Sequence, residues 1–250
     1  RETFDVVTDA TFSPDGARLA TGAFDGTTRL WDMTREALLA TPRTIAGHPA
    51  SGKIAAGYDG LIAIIDGRTG RRIKTLEIPE FRVETLAFDN AGDRILAAIN
   101  RLQDPTQPTA APEYRIAAWQ WVENKKILDL PAEKAVDMLA FTGPEDNTAV
   151  VRMGSEVKLI ECATATAVLN ISDVVDIALS ADGKELALCH LDDKQGQPDQ
   201  QSLARYNTET RERITETTVP TGFTSGLCYA PNGQWLALGA LLLKEDDWIG

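Results

Sequence analysis

Three cysteines and two histidines are all that the 250 residues offer of the side chains best suited to metal binding, thiol chemistry and proton transfer near neutral pH. Cys162, Cys189 and Cys228 are odd in number and widely spaced, which argues against a disulfide framework and leaves them as small core residues on or beside strands. Long apolar runs are missing too. A membrane-spanning helix needs about 20 such residues, and the longest candidate, Leu236–Leu243, is less than half of that. Basic charge is in deficit, with 25 Lys and Arg against 37 Asp and Glu and a net charge of −12. This balance argues against nucleic-acid or anionic-membrane partners, because phosphate binding draws on surplus Lys and Arg. What remains, 43% hydrophobic residues at a mean hydropathy of −0.18, reads as soluble and globular. The reduced-looking cysteines lean towards the cytoplasm. Arg1 stands where a start methionine would, so the lack of a targeting segment carries no information.

What the chain has in abundance is a short unit, repeated. An apolar run, a turn ending near glycine and a second apolar run recur six times. Ala10-Thr11-Phe12 precedes Ser13-Pro14-Asp15-Gly16, Leu86-Ala87-Phe88 precedes Asp89-Asn90-Ala91-Gly92, and Ile177-Ala178-Leu179 precedes Ser180-Ala181-Asp182-Gly183. Strand, turn, strand is the pattern of a β-hairpin. Downstream, an apolar or aromatic residue followed by an acid or amide closes a third strand: Trp31-Asp32, Ile65-Asp66, Trp119-Gln120, Ile160-Glu161 and Tyr206-Asn207. Four short strands at a period in the low forties predict an all-β β-propeller built of four-stranded antiparallel blades. His48 can be placed before an inner strand or in the hairpin turn; the turn placement keeps all four strands of its unit and is adopted.

Residues 9–32 resemble the WD40 repeat family at nearly full strength, and the spacing extends the resemblance over most of the chain. The resemblance implies that Thr21, Asp25 and Trp31 belong to the family's buried blade network, with a structural role. The units run over 6–42, 43–79, 80–132, 133–172, 173–218 and 219–250. That is about five and a half blades, the third and fourth strands of the sixth being missing. The resemblance further implies a fragment of a seven-bladed ring, of the bacterial type, that accompanies an effector domain in a longer chain.

Motifs for chemistry are sparse. Gly47 to Lys53 mimics a phosphate-binding loop, but a strand rather than a helix is predicted after it, and Ile54 stands where Ser or Thr would meet magnesium. Gly222 to Gly226 has the wrong spacing for a nucleophile elbow. His190 reads as a packed strand residue, and Asp192, Asp193 and Asp199 as solvated loop charge rather than calcium ligands. Asn170-Ile171-Ser172 is a sequon expected by chance. No catalytic residue, cofactor or metal site is expected.

The informative departures are two insertions between second and third strands, 101–113 and 192–201, with a third beginning at 243–247. Arg101, Gln103, Asp104, Gln107, Glu113, Asp192, Asp193, Lys194 and Gln195 are therefore the candidate protein-binding residues, since function concentrates on loops held by a rigid scaffold. The expected role is a non-catalytic scaffold for protein–protein interaction. The alternatives are a gating domain of a kinase- or hydrolase-linked enzyme and a small-ligand or calcium-binding propeller.

Overall fold

The computed structural model describes residues 7–12, 18–23, 28–32, 42–48, 50–103, 111–143, 145, 147–191, 201–219, 226–230, 232–238 and 241–244. Twenty-one strands account for its regular structure, and no α-helix occurs among the described residues. Successive strands pair antiparallel with their sequence neighbours. β1–β3 (Val7–Phe12, Arg18–Ala23, Thr28–Asp32) form one sheet, and β11–β14 (Met138–Thr142, Thr148–Met153, Glu156–Glu161, Thr166–Ile171) another. A further sheet holds β15–β18 (Val174–Leu179, Glu185–Leu191, Gln201–Asn207, Arg213–Val219), and the last holds β19–β21 (Leu227–Tyr229, Trp235–Leu238, Leu241–Lys244).

Between them, β4–β10 make one seven-stranded sheet: Thr44–His48, Lys53–Gly57, Asp59–Asp66, Arg72–Phe88, Arg94–Arg101, Tyr114–Gln120 and Lys125–Ala132. Its 17-residue β7 serves two blades, pairing with β6 through Arg72–Glu77 and with β8 through Phe81–Phe88. Glu80, at φ 70°, sits at the changeover.

The core is a series of seams between sheets. Alternate residues of each middle strand serve opposite seams, as a period of two requires. Ile95 and Ala97 pack with Ile62, Ile64 and Leu76 of the preceding blade, whereas Leu96 and Ala98 pack with Leu139, Phe141 and Val151 of the next. Val150 and Leu159 meet Ile177, Leu186 and Leu188, and beyond them Ala187 and Leu203 meet Leu227, Leu236 and Leu238. Burying a Leu or Ile side chain on such a seam contributes about 1.5–3 kcal/mol.

Local chemistry repeats from blade to blade. In the second and fifth blades the residue closing the third strand caps the turn that follows: Asp66 Oδ1 accepts from the Arg68 and Thr69 amides, and Asn207 Oδ1 from those of Glu209 and Thr210. The fourth strand then carries a β-bulge whose unpaired residue is apolar: Ile73, Ile127, Val168 and Ile214. The hairpin turns between first and second strands end on Gly92, Gly183 and Gly233 with φ of 71–74°.

His48 ends β4 at the mouth of its turn, as the turn placement requires, and is buried. Its Nε2 lies 2.9 Å from the Asn90 carbonyl of the next blade and its Nδ1 2.7 Å from Ser51 Oγ.

Two expectations are corrected. The sixth unit does have a third strand: β21 pairs with β20 from Leu238↔Leu241 to Trp235↔Lys244, so Leu243 and Lys244 extend the sheet rather than open an insertion. Cys162 and Cys189 are buried as expected, but Cys228 is exposed, because Leu227 rather than Cys228 packs on the preceding blade. Thr21 pairs with Arg29 and Ala10, and Trp31 with Leu19, which places both in the first blade's ladder; Asp25 lies outside the described residues.

Gly92 and Gly70 both need positive φ, but a Cβ on Gly92 would stand 2.6 Å from His48 Nδ1, whereas one on Gly70 meets open space. Gly70→Ala is expected to cost about 1 kcal/mol and Gly92→Ala about 2–3 kcal/mol in urea unfolding.

Burial would push the Asp89 carboxyl up, yet hydrogen bonds from the Arg94 backbone and guanidinium and the Asp93 amide hold it below the usual aspartate range. A lowered folded value makes its stabilisation complete above the unfolded pKa of about 4 and lost as pH falls through the folded value. Asp89→Asn is expected to cost about 1–3 kcal/mol at pH 7. The difference from wild type should shrink in denaturant titrations stepped below pH 4.

Candidate functional site

Because each sheet is an antiparallel meander, the connections between second and third strands leave from the same end as the connections between blades. Hydrogen bonds tie the two sets together. The Val174 amide, at a blade entry, donates to Ser155 O in the β12–β13 turn, and the Gly154 amide donates to Asp137 Oδ2 before β11. Asp176 Oδ2 accepts from the amides of Gly226 and Leu227 at 2.7 and 2.8 Å, fastening the entry of the sixth blade to the fifth. Arg43 binds Asp59 through Nε at 2.5 Å and Nη2 at 3.2 Å.

The first insertion joins β8 to β9 on this face, and its root is closed. The Arg101 amide donates to Glu113 O, and the Leu102 amide to Glu80 O at 2.6 Å. The Arg101 guanidinium bridges Glu80 Oε2 at 2.5 Å and Glu113 Oε2 at 3.0 Å. The pattern continues across the sheet: Glu113 to Arg115 at 3.3 Å, Arg115 to Asp129 at 2.7 Å, Asp129 to Lys126 at 2.9 Å. Arg101, and then Arg115, hold the Glu113 carboxyl below its usual range. Burial opposes the same shift at Asp129, where the Arg115 and Lys126 hydrogen bonds outweigh it.

The candidate residues thus fall into two groups. Arg101 and Glu113 clamp the base of the insertion, and Gln103 is exposed on the way out of it. Asp104 and Gln107 lie outside the described residues, as do Asp192, Asp193, Lys194 and Gln195. The second insertion leaves from Leu191 and returns at Gln201, which pair with each other across β16 and β17, so both insertions spring from closed strand ends on one face. Gln201, counted within the insertion from sequence, is the first residue of β17.

The motifs weighed for chemistry take structural places. Lys53 opens β5, and its ammonium reaches Gly92 O at 3.2 Å and lies 4.9 Å from the Trp121 ring centroid in the next blade. His190 sits on β16 with Nε2 3.3 Å from Glu216 Oε1. Among the described residues, no group of three or more His, Cys, Asp or Glu could hold a metal ion, and no helix is long and apolar enough to cross a membrane.

The seam between the fifth and sixth blades hides a residue that the sequence reading passed over. Arg205 occupies the third-strand position that other blades fill with Ile64, Ala118 or Leu159, and it is buried with them. Its guanidinium pairs with Glu185 Oε2, which also accepts from the Tyr229 hydroxyl of the sixth blade. Burial, and next Glu185, push the Tyr229 hydroxyl well above its ordinary value. A polar cavity of about 530 Å³ opens beside them, lined by Ser180, Asp182, Glu185, Asn207, Tyr229 and Asn232 among others.

Comparison with known proteins fits this geometry. The WD domain, G-beta repeat family matches residues 2–32. The periodic tryptophan protein 2 homolog of Caenorhabditis elegans is 26% identical over 193 residues. Residues 2–32, the first blade, carry a WD40 repeat. The Caenorhabditis elegans alignment covers 73% of this chain and 20% of the relative. Telomerase protein component 1 of Mus musculus is 26% identical over 203 residues, 75% of this chain and 7% of its own. The chain therefore spans a small part of the length of these relatives. Among solved structures, a chain of the mitotic checkpoint complex superposes with a TM-score of 0.55 at 18% identity, covering 96% of this chain and 72% of that one. Hydrazine synthase of Kuenenia stuttgartiensis gives 0.53 at 17% identity, covering 94% and 76%. These likenesses establish the β-propeller fold.

Arg101→Ala should release the insertion root without loosening the blade. Hydrogen exchange at the Leu102 amide is expected to rise at least severalfold, with global stability changing by less than about 1 kcal/mol.

Proposed function

We propose that this WD40 chain is a non-catalytic scaffold that holds partner proteins on its loop-bearing face. The observation that carries this reading is the closed root of the 101–113 insertion. The Arg101–Glu113–Glu80 clamp fixes both ends of a long insertion, so engaging a partner through it does not require its base to be ordered on binding. Arg101 and Glu113 position the loop, while Gln103, Asp104, Gln107 and the stretch from Asp192 to Gln195 make the contacts. The net charge of −12 favours basic or polar partner segments. Two of the similar proteins are by name parts of assemblies, a telomerase protein component and a mitotic checkpoint complex, which supports protein partners.

The test replaces residues 103–111 and 192–200 with Asp-Gly turns, keeping the clamp. Shortening surface loops changes closure entropy by only about 1 kcal/mol, so the melting profile should hold. Affinity capture with the full chain as bait is expected to lose the proteins retained by wild type. Unaltered capture by a folded variant would reject the reading.

A further inference from the structure

On a chain of net charge −12, one place runs the other way. The turn and outer strand of the second blade carry Arg68, Arg71 and Lys74 towards its seam with the third, and Lys125 and Lys126 open β10 directly after the β9–β10 turn of the third blade. The two segments face each other across the outer end of one seam, where Lys74 Nζ bonds Val122 O at 3.4 Å. The acidic groups at hand are few. Asp66 is occupied with the amides of its own turn, Asp129 answers Lys126 and Arg115, and Glu123 and Glu77 are exposed at the margins.

The same place exposes apolar surface. Val122 is 56% exposed and the bulged Ile73, beside Lys74, 48%. The equivalent bulge residues of the next two blades, Ile127 and Val168, pack onto their seams instead. Ile214, in the fifth blade, is also exposed, but the arginines around it are matched by acids: Arg213 pairs with Glu216 and Arg211 with Glu161. Only the outer end of the seam between the second and third blades, among the described residues, joins exposed aliphatic side chains to an excess of positive charge.

We propose that this outer seam docks an acidic peptide segment carrying an aliphatic side chain, the aliphatic group resting on Ile73 and Val122 and its carboxylates meeting Arg71, Lys74 and Lys125. The site lies on the circumference, away from the loop-bearing face. A polyanionic nucleic acid fits less well: it would meet long-range repulsion from the net negative chain, and it has no use for the aliphatic pair. A peptide gains from both, through charge complementarity for approach and apolar burial for retention.

The test titrates the full 250-residue chain into a fluorescein-labelled, capped peptide Glu-Glu-Asp-Leu-Glu-Asp and follows anisotropy. Saturable binding is expected, weakened at least severalfold between about 50 and 200 mM salt. Arg71→Glu with Lys125→Glu should weaken it about tenfold or more, because both side chains are exposed and close to the peptide charges. Val122→Ser, or Ser in place of the peptide Leu, should each cost severalfold. Lys184→Glu, on the fifth blade, should have an effect below about twofold, and circular dichroism should show all variants folded. The proposal is overturned if binding does not saturate, if Lys184→Glu weakens it as much as the double variant, or if labelled oligothymidylate binds the same residues as tightly as the peptide.

Discussion

A four-stranded sheet has two faces and cannot bury either by itself; everything in this molecule depends on each blade finding a neighbour for both. The middle strands show how the constraint is met. In β8, Ile95 and Ala97 look back and Leu96 and Ala98 look forward, so a single run of apolar residues stabilises two seams at once. That is why these strands read as continuous hydrophobic segments rather than alternating ones. It is also why polar residues gather at the ends of the strands, where turns of adjacent blades are fastened by Asp176, His48 and Lys53.

The hairpin turns and the third-strand endings were legible in sequence because each has a local cause. A glycine with positive φ closes hairpin turns that follow first strands, and in the second and fifth blades an acid or amide caps the turn that follows the third; both demands leave a residue signature. β21 was missed for lack of such a signature. Its connection to β20 contains Gly239 and Ala240 with no Pro, Asn or Asp, so Leu236 to Leu243 looked like one apolar run. The bulges were equally silent, since a one-residue shift at Ile73 or Ile214 changes pairing without changing composition.

At the candidate site the sequence revealed where the chain departs from its repeat, but not what each departure does. Arg101 and Glu113 looked like contact residues because they border an insertion. Their pairing to each other and to Glu80, 21 residues before Arg101, is a property of the register between β7 and β8, and no local pattern announces it. Arg205 was hidden for the opposite reason. Between Leu203 and Tyr206 it sits in an apolar strand, and its partners Glu185 and Tyr229 come from another strand and another blade.

The two buried cysteines occupy different seams: Cys162 lies between the third and fourth blades and Cys189 between the fifth and sixth. Burial pushes the Cys189 thiol up, so it stays protonated and inert while its seam is shut. The chain therefore carries its own pair of clocks. With Cys228 exposed as an internal standard, the rates at which an alkylating reagent reaches the other two sulfurs would time the breathing of each seam separately, without a probe having to be introduced.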